Sequence, residues 1–445
     1  MKTSIDGVNK MPGVVFSGEA ALVLDREKRD LLDNRAKQLL AKEINESKAV
    51  ELMLTKSPAF QAILFDNWRR GALAAQSGRL ANPIFSFERM VKGSETEYGK
   101  IITFGLLDLL TLPSRTETAE IQVNRSKISL AADVFAAINE VRLAWLEAVA
   151  AEEKFRILQA EFTANTASAE LAKRMKQTGN FNTAERIREQ LFLSGSTIRL
   201  AQAKQRKLVT LENLAQLIGL SLTESKKLKL PTRIPKLPEK PISIDSFSSQ
   251  IKTRFDVQLA RLDYEVSLKR MGVDEISSYT DIEFGRRRDR SSDNSAVSYK
   301  KGFEIELRVP IFDWGNLQRD ALQAELLAKH QKYKSALIAA GSDLRRKYIQ
   351  YRTAFDIARH YQDQVIPMQE SLLEEATYNY NGMIIGVFEL LSIGREKAAA
   401  ELRAIDAKVN AINSQISLNG SLMGRPLDAV EKQIETSAPS RSAGH

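Results

Sequence analysis

The sequence predicts a mainly α-helical chain with a β-barrel portion, built as a duplicated unit of helix, strand, strand, long helix and helix. Three observations predict it. Of 445 residues, 43% are hydrophobic, 27% charged and only 7% aromatic. The apolar residues are mostly Ala, Leu, Ile and Val interleaved with Glu, Lys, Arg and Gln, the composition of long packed helices. Pro231, Pro235, Pro238 and Pro241 break the helical pattern between Leu220 and Asp245. On each side of that break the same order of elements appears, which marks an internal duplication.

Residues 1–42 are read as an N-terminal extension, and 43–220 as the first copy. That copy opens with a helix from Glu43 to Gln76. The β-rich stretches ANPIFSFERM and KIITFGLLDLLTL follow, with strands expected over about 82–112. Long helices fill about 114–218. Val134, Ile138, Val141, Trp145 and Val149 recur at spacings of three and four, the stripe of a helix packed on neighbours. The helix stops at KQTGNF, where Gly179 and Asn180 supply the signal. Its return partner carries Leu208, Leu211, Ala215 and Ile218 at helical spacing.

Residues 221–245 form a Pro-rich linker, the equatorial region, and 246–424 the second copy. A helix from Ser246 to Met271 precedes strands expected over about 278–312, in SYTDIEFGRRR and GFEIELRVPIFDWG. Long helices occupy about 316–423. The first of them, Leu317 to Asn381, has Pro367 as its one breaker, is expected to be the longest in the chain, and spans roughly 100 Å. Leu402, Ile405, Val409, Ile412 and Ile416 on the return helix alternate at three and four, a coiled-coil seam. Residues 425–445, rich in Ser, Pro, Gly and charge, are expected to be a disordered tail.

Phe303, Ile305, Leu307, Val309 and Ile311 alternate with Glu304, Glu306 and Arg308, so one face of this strand is apolar and the other charged. That pattern suits a wall between lipid and a wet lumen, for which about nine to eleven residues span a bilayer; a small soluble sheet is the alternative. Four strands cannot close a barrel, and open edges in lipid leave backbone groups unsatisfied. Two chains give eight strands, a size filled by its own side chains, whereas three give about twelve and leave a lumen. The expected assembly is therefore a homotrimer with a 12-stranded β-barrel and a long α-helical barrel.

Several classes are excluded or disfavoured. With no Cys there is no disulfide, thiolate site or cysteine nucleophile. His330, His360 and His445 lie far apart and suggest no metal cluster, and no cofactor is expected. No Gly-rich phosphate loop, Gly-x-Ser-x-Gly or His-Glu-x-x-His is present, so an enzyme is not expected. Glu374 and Glu375 are read as solvated or interhelical carboxylates. The net charge of +9 arises from 65 basic residues scattered among 56 acidic ones, which disfavours nucleic acid. No apolar run reaches the length of a transmembrane helix. The opening MKTSIDGVNKMPG lacks a basic segment followed by an apolar one, so no signal peptide is visible in this chain, and if the protein is exported its signal is expected to lie outside it.

ANPIFSF, VPIFDWG leading into NLQRDAL, QVIPMQESLLEEATYNYNGM and FELLSIGREKAAAEL, in this order and spacing, resemble the outer-membrane efflux proteins typified by TolC. The resemblance covers most of the chain. It implies a Gram-negative outer-membrane channel whose helical barrel extends into the periplasm and docks a periplasmic adaptor (membrane fusion) protein and an inner-membrane transporter. It implies a passive conduit for small molecules such as drugs or metals. An outer-membrane exit for type I protein secretion and a soluble coiled-coil scaffold are the alternatives. It places the periplasmic aperture and adaptor docking at Gly179, Asn180, Asn182, Tyr380, Gly382 and Glu389. The family's aspartate maps onto Glu389 and its tyrosine onto Tyr380, while Ile385 and Ser392 stand where the family has a basic latch and a second acid. Glu389 is read either as part of a ring lining the pore or as a solvated carboxylate outside it. Phe303, Ile305, Leu307 and Val309 are assigned to outer-membrane lipid. GRRRDRSSDNS, residues 285–295, is read as a solvated hairpin loop, with contact to lipopolysaccharide phosphates as the alternative.

Overall fold

A computed structural model describes residues 25–93, 95–243, 248–279, 281–293, 296–309 and 311–425. Residues 1–24 of the extension and the tail from 426 lie outside the described residues. In chain order the elements are α1 (Arg26–Leu40), α2 (Glu46–Lys56), α3 (Pro58–Ser77), β1 (Ile84–Lys92), β2 (Glu95–Gly105), α4 (Leu106–Gln177) and α5 (Thr183–Ile218). After the short α6 (Leu222–Ser225) come α7 (Phe255–Tyr279), β3 (Ile282–Asp293), β4 (Ala296–Leu307), α8 (Asn316–His360), α9 (Ile366–Asn381) and α10 (Val387–Met423). The chain is mainly helical with one small antiparallel sheet. No described helix is long and apolar enough to cross a membrane.

Four differences from the sequence expectation have local causes. The opening helix is split at Ser57, which is extended at φ −67° and ψ 118° because Pro58 disfavours the helical region for the residue before it. The extension contains α1, which buries Ala36, Leu39 and Leu40. LLDLLTL is helix rather than strand: α4 begins at Leu106 and accommodates Pro113, and a short apolar run does not by itself separate the two states. That shift makes α4, at 72 residues, longer than the Leu317–Asn381 stretch expected to be longest. In the second copy Pro367 does not end the helix. It is relieved by a wider turn at Tyr361–Val365 between α8 and α9, which accommodates the missing N–H and the ring.

The chain divides into two compact units. One takes Asp66–Leu130 and Phe255–Ala339 and holds the sheet, of order β1-β2-β3-β4. Each copy contributes one hairpin, and β2 pairs antiparallel with β3 to join them. Within this unit Asn67 Nδ2 donates to the Ser126 carbonyl at 2.7 Å, and Arg125 pairs with Asp263.

The other unit takes the chain up to Phe65, Ala131–Arg254 and residues from Ala340. All of Val134, Ile138, Val141, Trp145 and Val149 are buried, as their spacing demands, and Trp145 Nε1 donates to the Ile44 carbonyl at 2.9 Å. A second cluster surrounds the fully buried Tyr351, with Leu344, Phe355, Ala411 and Leu418. Of the seam residues on α10, Ile405 and Ile416 are buried. The Pro-rich segment packs on these helices: Ile234 and Leu237 are buried, the Ile234 N–H donates to Glu153 Oε2 at 2.9 Å, and Lys408 Nζ donates to the Ile234 carbonyl.

Candidate functional site

Two places concentrate the candidate residues, one in each unit. In the sheet, residues opposite each other across strands share a face, so the register sorts every side chain. Phe85, Ile102, Arg286 and Phe303 form one row, and Phe87, Lys100, Arg288 and Lys301 the next. Arg89, Tyr98, Arg290 and Tyr299 form a third, and Phe104, Phe284 and Ile305 a fourth on the same face. On the two central strands this face is open: Ile102, Phe104, Phe284, Arg286, Arg288 and Arg290 are exposed. The opposite face is tighter, with Gly99, Ile101, Gly285, Asp289 and Ser291 buried. The apolar side is therefore the more open of the two, as on the convex side of a curved sheet, and is called the convex face below, the other the concave.

Charge is sorted as sharply as apolarity. Glu88, Glu95, Glu97, Glu283, Asp289, Glu304 and Glu306 all lie on the concave face. There Arg287 pairs with Asp289 at 2.9 Å and Glu88 at 3.6 Å, Lys300 pairs with Glu97 at 3.8 Å, and Ser291 donates to Glu95 at 2.5 Å. The convex face has no carboxylate among the described residues, and it carries Arg89, Lys100, Arg286, Arg288, Arg290 and Lys301. GRRRDRSSDNS is thus not a loop over its described residues, and Asn294 and Ser295 lie outside them. Its residues 285–293 belong to strand β3, where Phe284, Arg286, Arg288 and Arg290 alternate with Gly285, Arg287, Asp289 and Ser291 and so fall on opposite faces.

Phe303, Ile305 and Leu307 are exposed on the convex face, at 73%, 61% and 53%. The strand ends at Leu307, earlier than the expected run to Ile311, so Val309 and Ile311 are exposed beyond it. On β1 and β4 only one side is paired among the described residues.

The second place joins the turn after α4 to the turn after α9. Gly179 adopts φ +82°, and the Asn180 N–H reaches back to the Met175 carbonyl at 2.9 Å, closing the helix end. Asn182 accepts from the Glu185 N–H at 2.8 Å while Glu185 accepts from the Asn182 N–H at 3.1 Å, a reciprocal cap of α5. After α9 the same closure occurs, Ile384 N–H to the Asn379 carbonyl at 2.8 Å, but the left-handed residue is Met383 at φ +59° rather than Gly382 at φ −77°. Met383 is 94% exposed and Ile384 is exposed beside it.

Tyr380 and Glu389 are both exposed, Glu389 in the first turn of α10, where a carboxylate complements the helix N-terminus. Ile385 is half-buried and Ser392 exposed. Glu374 accepts from the Tyr378 hydroxyl at 3.1 Å, and this bond to a carboxylate raises the Tyr378 pKa.

The residues that bind the two turns together escaped the sequence reading. Phe181 and Phe388 stack with centroids 4.6 Å apart. About two helical turns deeper, Arg395 on α10 donates to Glu189 Oε2 at 2.8 Å and to Asn165 Oδ1 at 3.0 Å. Ser168 also donates to Glu189, at 2.6 Å, and the guanidinium lies 4.0 Å from the Phe192 ring centroid. Glu189, Asn165 and Ser168 are buried. Their signal was polar residues on otherwise amphipathic helices, visible only once the helices are paired.

No protein-family model matches the chain, nor does any curated protein sequence. Among solved structures, the CmeC outer membrane channel of Campylobacter jejuni superposes with a TM-score of 0.73 at 15% identity, covering 96% of this chain and 96% of that one. The chain has the fold of this channel. A membrane protein from Pseudomonas aeruginosa gives a TM-score of 0.68 at 17% identity, covering 93% of this chain and 98% of that one. The open state of the MtrE outer membrane channel of Neisseria gonorrhoeae gives 0.66 at 16% identity, with 93% and 96% covered.

Proposed function

We propose that this chain is a protomer of a trimeric outer-membrane efflux channel of the TolC type, a passive conduit without enzymatic activity. The observation that carries this reading is the sheet: four strands with open outer edges and an exposed convex face of aromatic, aliphatic and basic side chains without a carboxylate among the described residues. Unpaired edges in lipid cost several kcal/mol per orphan backbone group. Pairing β1 of one copy with β4 of the next removes every edge, and three copies give about twelve strands around an open lumen. The convex apolar face then meets lipid, and the concave face, with its carboxylates, meets water.

The helices support the same assembly. Ile187, Leu191, Ile198 and Leu208 are exposed along α5, as are Ile349, Ile357, Met368 and Leu372 along α8 and α9. Leu208, expected in a packed stripe, is 55% exposed in the single chain and finds its cover in a neighbouring copy. The likeness to outer membrane channels under 20% identical supports the fold alone; the function rests on these unpaired surfaces.

The turns at Gly179 to Asn182 and Tyr380 to Glu389 form the periplasmic aperture in this reading. Exposed Met383 and Ile384 offer an apolar contact to a periplasmic adaptor that links the channel to an inner-membrane transporter. Glu389 from three copies forms an anionic ring, and such a ring favours cations. Single-channel recording in planar bilayers tests it. Glu389→Gln is expected to weaken cation preference and Glu389→Lys to reverse it; unchanged selectivity in both places Glu389 outside the pore.

A further inference from the structure

We propose that the convex face of the sheet binds phosphorylated lipid headgroups of the outer leaflet, an inference that rests on the channel reading, since that reading puts this face in lipid. The register layers the face along the strands. Leu307, then Ile305 with Phe284 and Phe104, form apolar rows at the end nearest the helices, and the next row sets Phe85, Ile102 and Phe303 around a single cation, Arg286. Toward the hairpin ends follow Lys100, Arg288 and Lys301 in one row and Arg89 with Arg290 in the next, flanked by Tyr98 and Tyr299. Rows two residues apart are about 7 Å apart, so beyond the lone Arg286 the cations gather where the hydrocarbon-facing rows end. Tyrosine and basic side chains at that level are an interfacial belt.

A generic belt does not account for the row itself. Lys100 stands directly opposite Arg288, and Arg288 directly opposite Lys301. Like charges directly opposite across strands are destabilising, and the described carboxylates that could relieve them all lie on the concave face, where Arg287 and Lys300 are paired. Three strands about 5 Å apart spread these cations over about 10 Å. An anion with several oxygens, bridged by a guanidinium fork and two ammonium groups, offsets that repulsion. A phosphate borne on a lipid is already held at this depth by its acyl chains.

The test inserts the full-length protein into neutral phosphatidylcholine nanodiscs doped with bisphosphorylated lipid A or with its dephosphorylated form. Apparent Kd is read from the shift in thermal midpoint, and retained lipid by native mass spectrometry. The phosphorylated lipid is expected to bind and raise the midpoint, with the dephosphorylated lipid and inorganic phosphate giving no shift. The Lys100→Gln, Arg288→Gln, Lys301→Gln variant is expected to lose affinity by on the order of tenfold or more, while its midpoint in undoped discs equals or exceeds that of the wild type, because repulsion is removed. Lys300→Gln on the concave face is expected to bind as the wild type does. Should the triple variant fold poorly, Arg288→Gln alone is expected to show the same direction of change. Equal stabilisation by both lipids, or an unchanged affinity in the folded variants, overturns the inference while leaving the channel standing. A wild type that does not insert into the discs overturns both.

Discussion

The rings of Phe181 and Phe388 stack at 4.6 Å with an interplanar angle of 24°, so the turn of the first copy and the turn of the second are one packed structure. An aromatic pair contributes about 0.5–1.5 kcal/mol beyond its buried area. Phe388→Ala is expected to speed amide hydrogen exchange in residues 179–183 as well as in 383–389. Faster exchange confined to the second turn means that the stack does not couple them.

Arg395 and Glu189 hold the same helices from within. Their side chains are 15% and 6% exposed, so removing one partner leaves a charge without compensation. Arg395→Met is expected to cost about 3–5 kcal/mol, and the double replacement Arg395→Met with Glu189→Leu less than that single change. Denaturant unfolding of the four members of the cycle checks it; additive costs contradict a coupled pair.

The helix ends make a graded prediction. Gly179, Gly219 and Gly424 take the left-handed position after α4, α5 and α10, and Met383 takes it after α9. Met383→Gly is expected to raise stability by about 1 kcal/mol, because an L side chain is strained there. Gly179→Ala is expected to cost about the same, since nothing lies within 4 Å of its new Cβ. Gly219→Ala is expected to cost more, because its Cβ would stand 2.7 Å from Pro58 Cδ and 2.8 Å from Ser57 Cα. Unfolding midpoints for the three variants give the order directly.

Acid sensitivity has a named contributor. Burial pushes the Glu224 carboxyl up, but hydrogen bonds from Lys56 and Ser221 outweigh it and hold the pKa at about 2, below its ordinary 4.5. A carboxyl depressed on folding contributes stability that is present above the unfolded value and lost as pH falls through the folded one. Glu224→Gln is therefore expected to flatten the fall in thermal midpoint between about pH 4.5 and 2. A wild type and variant whose midpoints fall in parallel over that window would falsify the assignment.

The strand proposed to face lipid separates its two faces. Leu307→Arg is expected to cost about 2–4 kcal/mol if placed near the bilayer midplane, while Glu306→Gln on the concave face is tolerated. Equal yields of membrane-inserted protein for the two variants mean that the convex face does not meet lipid.

Much of this was legible in the residue pattern. The stripe from Val134 to Val149 and the Gly179 stop follow from helical periodicity and backbone freedom, and the structure places them as expected. Strand ends were less legible. LLDLLTL reads equally as strand or helix until Asp108 is seen to pair with Arg115 in the first turns of α4. Residues 285–293 looked too polar for a strand, because a polar strand is recognisable only by what its alternate residues oppose, and the register supplies that. The Arg395 network joins α10 to α4 and α5 across more than 200 residues and has no local signature.

The proposed barrel requires that the four strands of each chain be completed by those of two other copies. Native mass spectrometry of the detergent-extracted full-length protein, at 49.8 kDa per chain, tests it most directly. One species at three times the chain mass, persisting on dilution, is expected. A stable monomer as the channel-forming species contradicts it.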